Sequence, residues 1–244
     1  MSIVSEAPVI SVIIPALNEA RHLPTTLACV VGQPAVEVIV VDGGSTDQTV
    51  VVVERAGAKL VRCEKGRAIQ MNRGVGSASA DVLLFCHADT KLPAGFATVI
   101  CDALDDPHVV GGAFSFAVDA PGFGMRLMAW CVNLRSRLFR LPYGDQALFV
   151  RRTAFEQAGG YPELPIMEDF ALVRRLRKLG RLVILDERAI TSGRRWRNLG
   201  LVRTTLINQA IIVGYHLGVS PARLTRWYRG SDAGGSPICD NRRP

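Results

Sequence analysis

Two acidic turns, each directly behind an apolar run, carry most of the chemistry this sequence can do. The first is Val40-Val41-Asp42-Gly43-Gly44-Ser45-Thr46-Asp47, the second Leu84-Phe85-Cys86-His87-Ala88-Asp89-Thr90. In α/β proteins ligands gather beyond the carboxyl ends of strands. A carboxylate there, followed by Gly and small polar residues, can reach a sugar or a base. Asp42 is placed to accept hydrogen bonds from ribose hydroxyls or a base N–H, or else its Asp-Gly-Gly-Ser turn caps the following helix. His87 and Asp89, two residues apart past a strand end, can converge on one divalent cation. Mg²⁺ or Mn²⁺ there would bridge diphosphate oxygens and offset charge on a leaving nucleoside diphosphate. An imidazole tilts the preference toward Mn²⁺; the bland alternative for His87 is a core histidine.

Five further segments bear on the same chemistry. Ser11-Val-Ile-Ile-Pro15-Ala16-Leu-Asn18-Glu19 ends a strand at Pro15 and aims a loop whose backbone groups can contact a base. Gly66-Arg67 opens a helix, and a helix N-terminus with an arginine can hold phosphate oxygens. Glu168-Asp169 also begins a helix, which either compensates the helix dipole or supplies a general base. Direct displacement at a sugar carbon needs one such carboxylate to take the acceptor hydroxyl proton. Tyr143-Gly144-Asp145-Gln146, just before a strand, can line the acceptor or sugar pocket. Arg194 and Arg195, in a late basic loop with Trp196, can neutralise diphosphate, with Trp196 toward the acceptor.

Positioning these groups takes an alternating fold. Apolar runs at 9–16, 36–42, 58–62 and 81–87 read as buried strands, and 19–31, 46–56, 66–78 and 93–105 as helices between them. Ser45 or Thr46 can cap the second helix, and Pro93 suits the first turn of the fourth. Such alternation predicts a mainly parallel central sheet with helices on both faces. The second half predicts strands at 109–118, 146–151 and 181–186, and helices at 122–141, 168–179, 199–217 and 221–228. In 122–141, Leu127, Cys131, Leu134 and Leu138 share one face, which is expected to pack on the core. One domain is expected over 1–229, with 230–244 a disordered tail.

The chain has 244 residues, 48% hydrophobic and 21% charged, enough for one α/β domain with a full core. Its net charge of +7 favours an anionic partner. Six cysteines without a C-x-x-C pair read as reduced thiols of a cytoplasmic protein, and no apolar run is long enough to span a bilayer. The arginines are scattered without aromatic interleaving, so nucleic acid is not an expected partner. Gly74-Val75-Gly76 lies late in a helix, so a dinucleotide fingerprint fails. A non-catalytic binding module stays open as the alternative to an enzyme. The basic amphipathic stretch 122–141 leaves room for peripheral contact with the inner membrane face, and a homodimer also stays open.

Taken in order over roughly residues 9–190, these segments resemble the family 2 glycosyltransferases of the GT-A fold. The resemblance implies a single α/β domain, a UDP- or GDP-sugar donor, a small-molecule or lipid-linked acceptor, Mn²⁺ or Mg²⁺, and inversion at the anomeric carbon. By position, Pro15, Ala16, Glu19 and Asp42 match the nucleotide-binding loops, with Arg67 beside them. Asp89 matches the last residue of the metal-binding D-x-D, and His87 stands where the family usually has Asp. Asp169, in the Glu168-Asp169 pair, matches the catalytic base, and Gly144-Asp145-Gln146 the acceptor side. The combination H-A-D-T, P-Y-G-D-Q and S-G-R-R-W resembles a compact bacterial subgroup associated with arsenosugar biosynthesis.

Overall fold

A computed structural model describes residues 8–233. Its eight strands are β1 (Ile10–Ala16), β2 (Val36–Asp42), β3 (Lys59–Arg62), β4 (Val82–Phe85), β5 (Thr90–Lys91), β6 (Val109–Asp119), β7 (Leu148–Arg151) and β8 (Arg181–Ser192). They form one sheet in the order β3-β2-β1-β4-β7-β6-β8-β5. The first four are mutually parallel, β7 runs antiparallel to β4 and β6, and β6 and β8 are parallel.

Residue alternation explains why both faces of this sheet are covered. Ile10, Val12, Ile14, Val38, Val40 and Leu84 point into one core, and Ile13, Ile39, Val41, Leu83 and Phe85 into the other. Against the first core pack α1 (Leu23–Val30), α2 (Thr49–Ala56) and α4 (Phe96–Leu104). Against the second pack α3 (Arg67–Val75), α6 (Arg152–Gln157) and α7 (Glu168–Leu176). Burying each large side chain fully contributes about 1.5–3 kcal/mol. Gly74 is fixed by contact: a Cβ there would lie 2.4 Å from Ile13 Cγ2, so α3 seats on β1 only with glycine. This is the α/β architecture expected, a mixed and mostly parallel sheet between helices.

The chain divides into two compact units. One runs to Leu164 and resumes over Glu168–Ser192; it holds the entire sheet. The other comprises Pro165–Met167 and the chain from Gly193 on, with α8 (Arg194–Leu199), α9 (Leu201–His216) and α10 (Pro221–Ala233). Its core includes the buried Thr204, Ile211 and Leu224, and Gly214 admits Leu224 at a distance a Cβ would block (2.8 Å). Helix α10 continues to Ala233; the rest of the expected tail, with Cys239, lies outside the described residues.

Several local expectations are corrected. The second helix starts at Thr49 rather than 46, with Gln48 as its cap, because Asp47 rather than Ser45 or Thr46 accepts the Thr49 N–H (2.9 Å). Pro93 precedes α4 by a turn, its carbonyl accepting from Phe96 N. The last strand runs on to Ser192 because β6 stays paired with it beyond an irregularity near Ala113–Ser115. The 193–199 segment is helix, not loop. In α5 (Phe123–Phe139) the face bearing Leu127, Cys131, Leu134 and Leu138 is turned to solvent, not to the core.

Candidate functional site

The carboxyl ends of β1, β2 and β4 lie side by side, at Ala16, Asp42 and Phe85. The loops leaving β1 and β2 are stitched together. Asn18 Oδ1 accepts from Thr46 N (2.8 Å), and Ser45 Oγ accepts from Asn18 N (2.9 Å). Thr49 Oγ1 accepts from Glu19 N (2.9 Å), and Asp47 Oδ2 from Ala20 N (3.1 Å). Asn18 adopts a left-handed φ of 55°, a conformation Asn tolerates better than most residues. Beneath them, Gln70 Nε2 donates to both Ala16 O and Val41 O (2.8 Å each), tying the two strand ends. Pro15 and Ala16 are the last residues of β1, paired with Val41 and Asp42, so the strand runs one residue past the expected stop at Pro15 and Glu19 sits in the fixed double loop beyond it.

Asp42 is buried, and its carboxylate serves its own turn, accepting from Gly44 N (3.1 Å) and Ser45 N (3.1 and 3.2 Å). These bonds hold the turn itself rather than cap the next helix, which begins later, at Thr49 behind Gln48. A carboxylate offers about four lone-pair sites, so these bonds leave acceptor capacity toward the loop.

His87 and Asp89 follow β4 in a tight turn, with Thr90 N donating to His87 O (3.1 Å). The turn is pinned from the far edge of the sheet: Thr90 and Lys91 pair with Thr191 and Ile190, and Ser192 N donates to Asp89 O (3.1 Å). Asp89 is therefore held by two strands distant in sequence. Both side chains are partly exposed.

Asp169, in the first turn of α7, comes to the same place from the other half of the sequence. Its Oδ2 accepts from Gly144 N (2.6 Å) and its Oδ1 from Phe170 N (2.7 Å). A Cβ on Gly144 would lie 3.1 Å from Asp169 Oδ2 and 3.2 Å from His87 Nε2. The absent side chain of Gly144 thus lets the imidazole and the carboxylate face one small space. Glu168, its neighbour, turns away: buried, it pairs with Arg67 Nη1 (3.3 Å), and burial raises its pKa against the pull of that guanidinium. Arg67, expected to hold phosphate, has this ion pair as its visible role, and Glu168 is not beside Asp169 as a second base.

The 143–146 segment divides its labour. Gln146 is fully buried and saturated: its Oε1 accepts from Ser136 Oγ (2.8 Å) and Tyr143 N (3.2 Å), and its Nε2 donates to Phe114 O (3.1 Å). It is a clamp between α5, β6 and the site loop, and both of its polar atoms are engaged there. Asp145 keeps some surface, yet its Oδ1 is sealed from solvent without a hydrogen-bond partner, as is Arg135 Nε. Burial, then the nearby Asp169 charge, pushes the Asp145 carboxyl up to about 6 against the attraction of Arg135. Arg135 stacks on the Tyr143 ring at 3.7 Å, and burial raises the Tyr143 hydroxyl pKa. Sequence reasoning missed Arg135, Asn18 and Gln70. The signal for Arg135 was the polar set Asn133, Ser136 and Arg137 at helical spacing beside it.

Arg194, Arg195 and Trp196 belong to α8 of the second unit. There Arg195 stacks on the Tyr228 ring at 3.7 Å and its Nη1 donates to Asn208 Oδ1 (3.4 Å), so it helps hold its own unit together. Arg194 is exposed and Trp196 half-buried.

Among the described residues no group of three or more His, Cys, Asp and Glu side chains could hold a metal ion. Mg²⁺-type ions are commonly held by one or two carboxylates, with water and substrate phosphates completing the shell. Asp89 with His87 fits that partial donor set and does not fit an all-protein cage. As arranged, the site offers a carboxylate oriented by a backbone N–H, an imidazole facing the same space, and a second carboxylate on the same turn as the imidazole. That combination suits proton removal from a hydroxyl next to a polyanion.

Comparison with known proteins bears on the family and the fold. The family model described as Glycosyl transferase family 2 matches residues 11–161. A curated relative from Mycobacterium bovis (strain BCG / Pasteur 1173P2), a PGL/p-HBAD biosynthesis glycosyltransferase, is 32% identical over 164 residues, covering 64% of each chain. The matched part thus falls short of two thirds of that relative. Among solved structures, the mannosyltransferase PcManGT from Pyrobaculum calidifontis, in complex with GDP-Man and Mn²⁺, aligns with a TM-score of 0.58 at 20% identity, covering 95% of this chain and 74% of that one. S. aureus TarS 1-349 in complex with UDP aligns at 0.60 and 20% identity, covering 75% and 60%. At these identities the structural likeness establishes the fold.

Proposed function

The chain belongs to glycosyl transferase family 2, and on that premise we propose that it moves a sugar from a nucleotide-diphosphate sugar to an acceptor hydroxyl, inverting the anomeric carbon. The observation that carries this reading is the convergence of Asp169 and His87 on the open face of Gly144, beyond the end of β4. Asp169 is the base: it takes the acceptor hydroxyl proton as the acceptor oxygen bonds to the anomeric carbon. The bond from that carbon to the diphosphate oxygen breaks with its electron pair, releasing the nucleoside diphosphate. The Gly144 N–H on Oδ2 fixes the carboxylate and leaves its remaining lone pairs for the proton.

The stitched loops at Pro15–Glu19 and Asp42–Asp47 would receive the nucleoside, with Asp42 adding acceptor capacity to the turn it holds. Asp89 and His87 would hold Mn²⁺ or Mg²⁺, which when bound offsets charge on the diphosphate. Arg67 sets the charge balance around Glu168. Asp145 and Tyr143 are the acceptor-side groups. The UDP and GDP-Man complexes of the aligned structures support either donor base, and the glycosyltransferase name of the mycobacterial relative supports turnover over a purely binding role. The arsenosugar association rests only on the motifs H-A-D-T, P-Y-G-D-Q and S-G-R-R-W. The described cysteines are free thiols, in keeping with a cytoplasmic setting.

Calorimetric titration with UDP, GDP, CDP and dTDP, each with Mn²⁺ and with EDTA, tests the donor site. Tight binding of one nucleotide only with Mn²⁺, lost in Asp89→Ala, is the expected result. Absence of binding by the folded protein would overturn the donor reading, and binding without turnover on any donor would favour a non-catalytic module.

A further inference from the structure

Helix α5 carries apolar side chains on both of its sides. Its covered side holds the buried Met125 and Ser136 and is tied to the sheet by polar bonds: Asn133 Oδ1 accepts from Phe116 N (2.7 Å) while its Nδ2 donates to Phe116 O (3.0 Å). Ser136 donates to Gln146, and Arg137 bonds Ser115 Oγ (3.1 Å) and Asp186. These polar anchors fix which side faces the sheet. The outward side is an apolar stripe with i, i+4, i+7, i+11, i+15 spacing: Phe123 (80% exposed), Leu127 (49%), Trp130 (59%), Leu134 (41%) and Leu138 (68%). A soluble monomer rarely exposes a contiguous stripe of this kind without a partner for it.

Charge identifies the partner. The helix Phe123–Phe139 contains no acidic residue, and the exposed Arg126 and Arg140 flank the stripe near its two ends. The protein as a whole carries +7. A two-fold contact with a second copy through this face would crowd the arginines of both copies into one patch, which like-charge repulsion disfavours. A bilayer surface with anionic headgroups accepts both features at once: acyl boundary for Leu, Phe and Trp, phosphate for Arg. The second unit carries its own exposed stripe on α9, Val202, Leu206 and Val213, with Leu217 just past its end, again on a helix without an acidic residue. Among the described residues no helix is long and apolar enough to cross a membrane.

We propose that α5 is an in-plane membrane-surface helix that docks the protein on anionic bilayers. Through Arg135 on Tyr143 and Ser136 on Gln146, the same helix holds one wall of the site, so docking brings the Gly144–Asp169 edge to a lipid-bearing acceptor. The docking itself stands independently of the donor reading; only the acceptor consequence rests on it.

The test is flotation of the full chain with vesicles of phosphatidylcholine alone and of phosphatidylcholine mixed with phosphatidylglycerol. Binding to the mixed vesicles that weakens with salt is expected. Trp130→Glu with Leu134→Glu should lower partitioning by about tenfold or more, and Arg126→Glu with Arg140→Glu should remove the preference for the anionic mixture. All these side chains face solvent, so unfolding and nucleotide calorimetry should be unchanged in both variants, which separates a failed docking surface from a failed donor site. Absence of wild-type binding to either vesicle, or equal binding by both variants, would overturn the proposal. So would a dimer in light scattering that Trp130→Glu dissociates, which would assign the face to a second copy.

Discussion

Replacing Asp145 by asparagine should stabilise the protein at neutral pH and do nothing in acid. The carboxyl is sealed off beside Asp169 with an unpartnered Oδ1, and burial with the Asp169 charge moves it from the ordinary 3.8 up to about 6. Between those two values the native protein holds a proton that the unfolded chain has released, so stability falls as pH rises through the interval. The difference corresponds to at most about 3 kcal/mol, complete above about pH 6 and absent below about pH 3.8. The amide of Asp145→Asn mimics the protonated acid and keeps its shape. The variant should therefore exceed wild type by about 2–3 kcal/mol near pH 8, or about 4–12 °C in Tm for a chain of this size. That gap should shrink steadily to nothing near pH 4. Thermal unfolding with EDTA and no nucleotide, followed across that pH range, measures it. A gap that is independent of pH, or largest in acid, would refute the reasoning and show that Arg135 already neutralises the buried carboxylate.

Two further substitutions probe the reacting face. Asp169→Asn should retain nucleotide binding yet lose roughly 10²–10⁴-fold in kcat, the usual contribution of a positioned base; near-normal turnover would remove Asp169 from the role. Gly144→Ala keeps the backbone N–H that bonds Asp169, but its methyl would sit 3.1 Å from Asp169 Oδ2 and 3.2 Å from His87 Nε2. Single-turnover kinetics should show a fall of about tenfold or more with little change in Tm, whereas an unchanged rate would mean that the two side chains do not act in that space.

The parallel half of the fold was legible because it rests on period-two alternation. Ile10, Val12 and Ile14 against Ile13, and Val38 and Val40 against Ile39 and Val41, can satisfy two cores only as strands with helices on both faces. The positions of Asp89 and Asp169 beyond strand and helix ends followed from the same pattern. The approach of His87 to Asp169 did not, because it depends on the missing side chain of Gly144, nor did the pinning of the Asp89 turn by β5 on the far end of β8. Roles inside short polar segments were harder still. Gln146 and Asp145 are adjacent and equally polar, yet one is a saturated clamp and the other an unsatisfied acid; only the partners across space, Ser136, Phe114 and Asp169, distinguish them. Asp42 likewise spends its oxygens on the two N–H groups that its own Gly-Gly-Ser turn presents.

Helix α5 shows why an amphipathic pattern leaves orientation undetermined. A hydrophobic stripe defines two faces and says nothing about which one meets the sheet. In a helix inserted beside an already complete core, the inward face need only match what the sheet exposes there. Beside the site of the buried Met125, that includes Phe116's backbone, Ser115 and the Gln146 amide, which demand hydrogen bonds. An unmet bond to any of these would cost about 1–3 kcal/mol, comparable with burying a leucine, so Asn133 and Ser136 win the inner side. The stripe Phe123–Leu138 is left outside as a consequence. Under the docking proposed above, hydrocarbon would cover this stripe while its arginine rim met anionic headgroups.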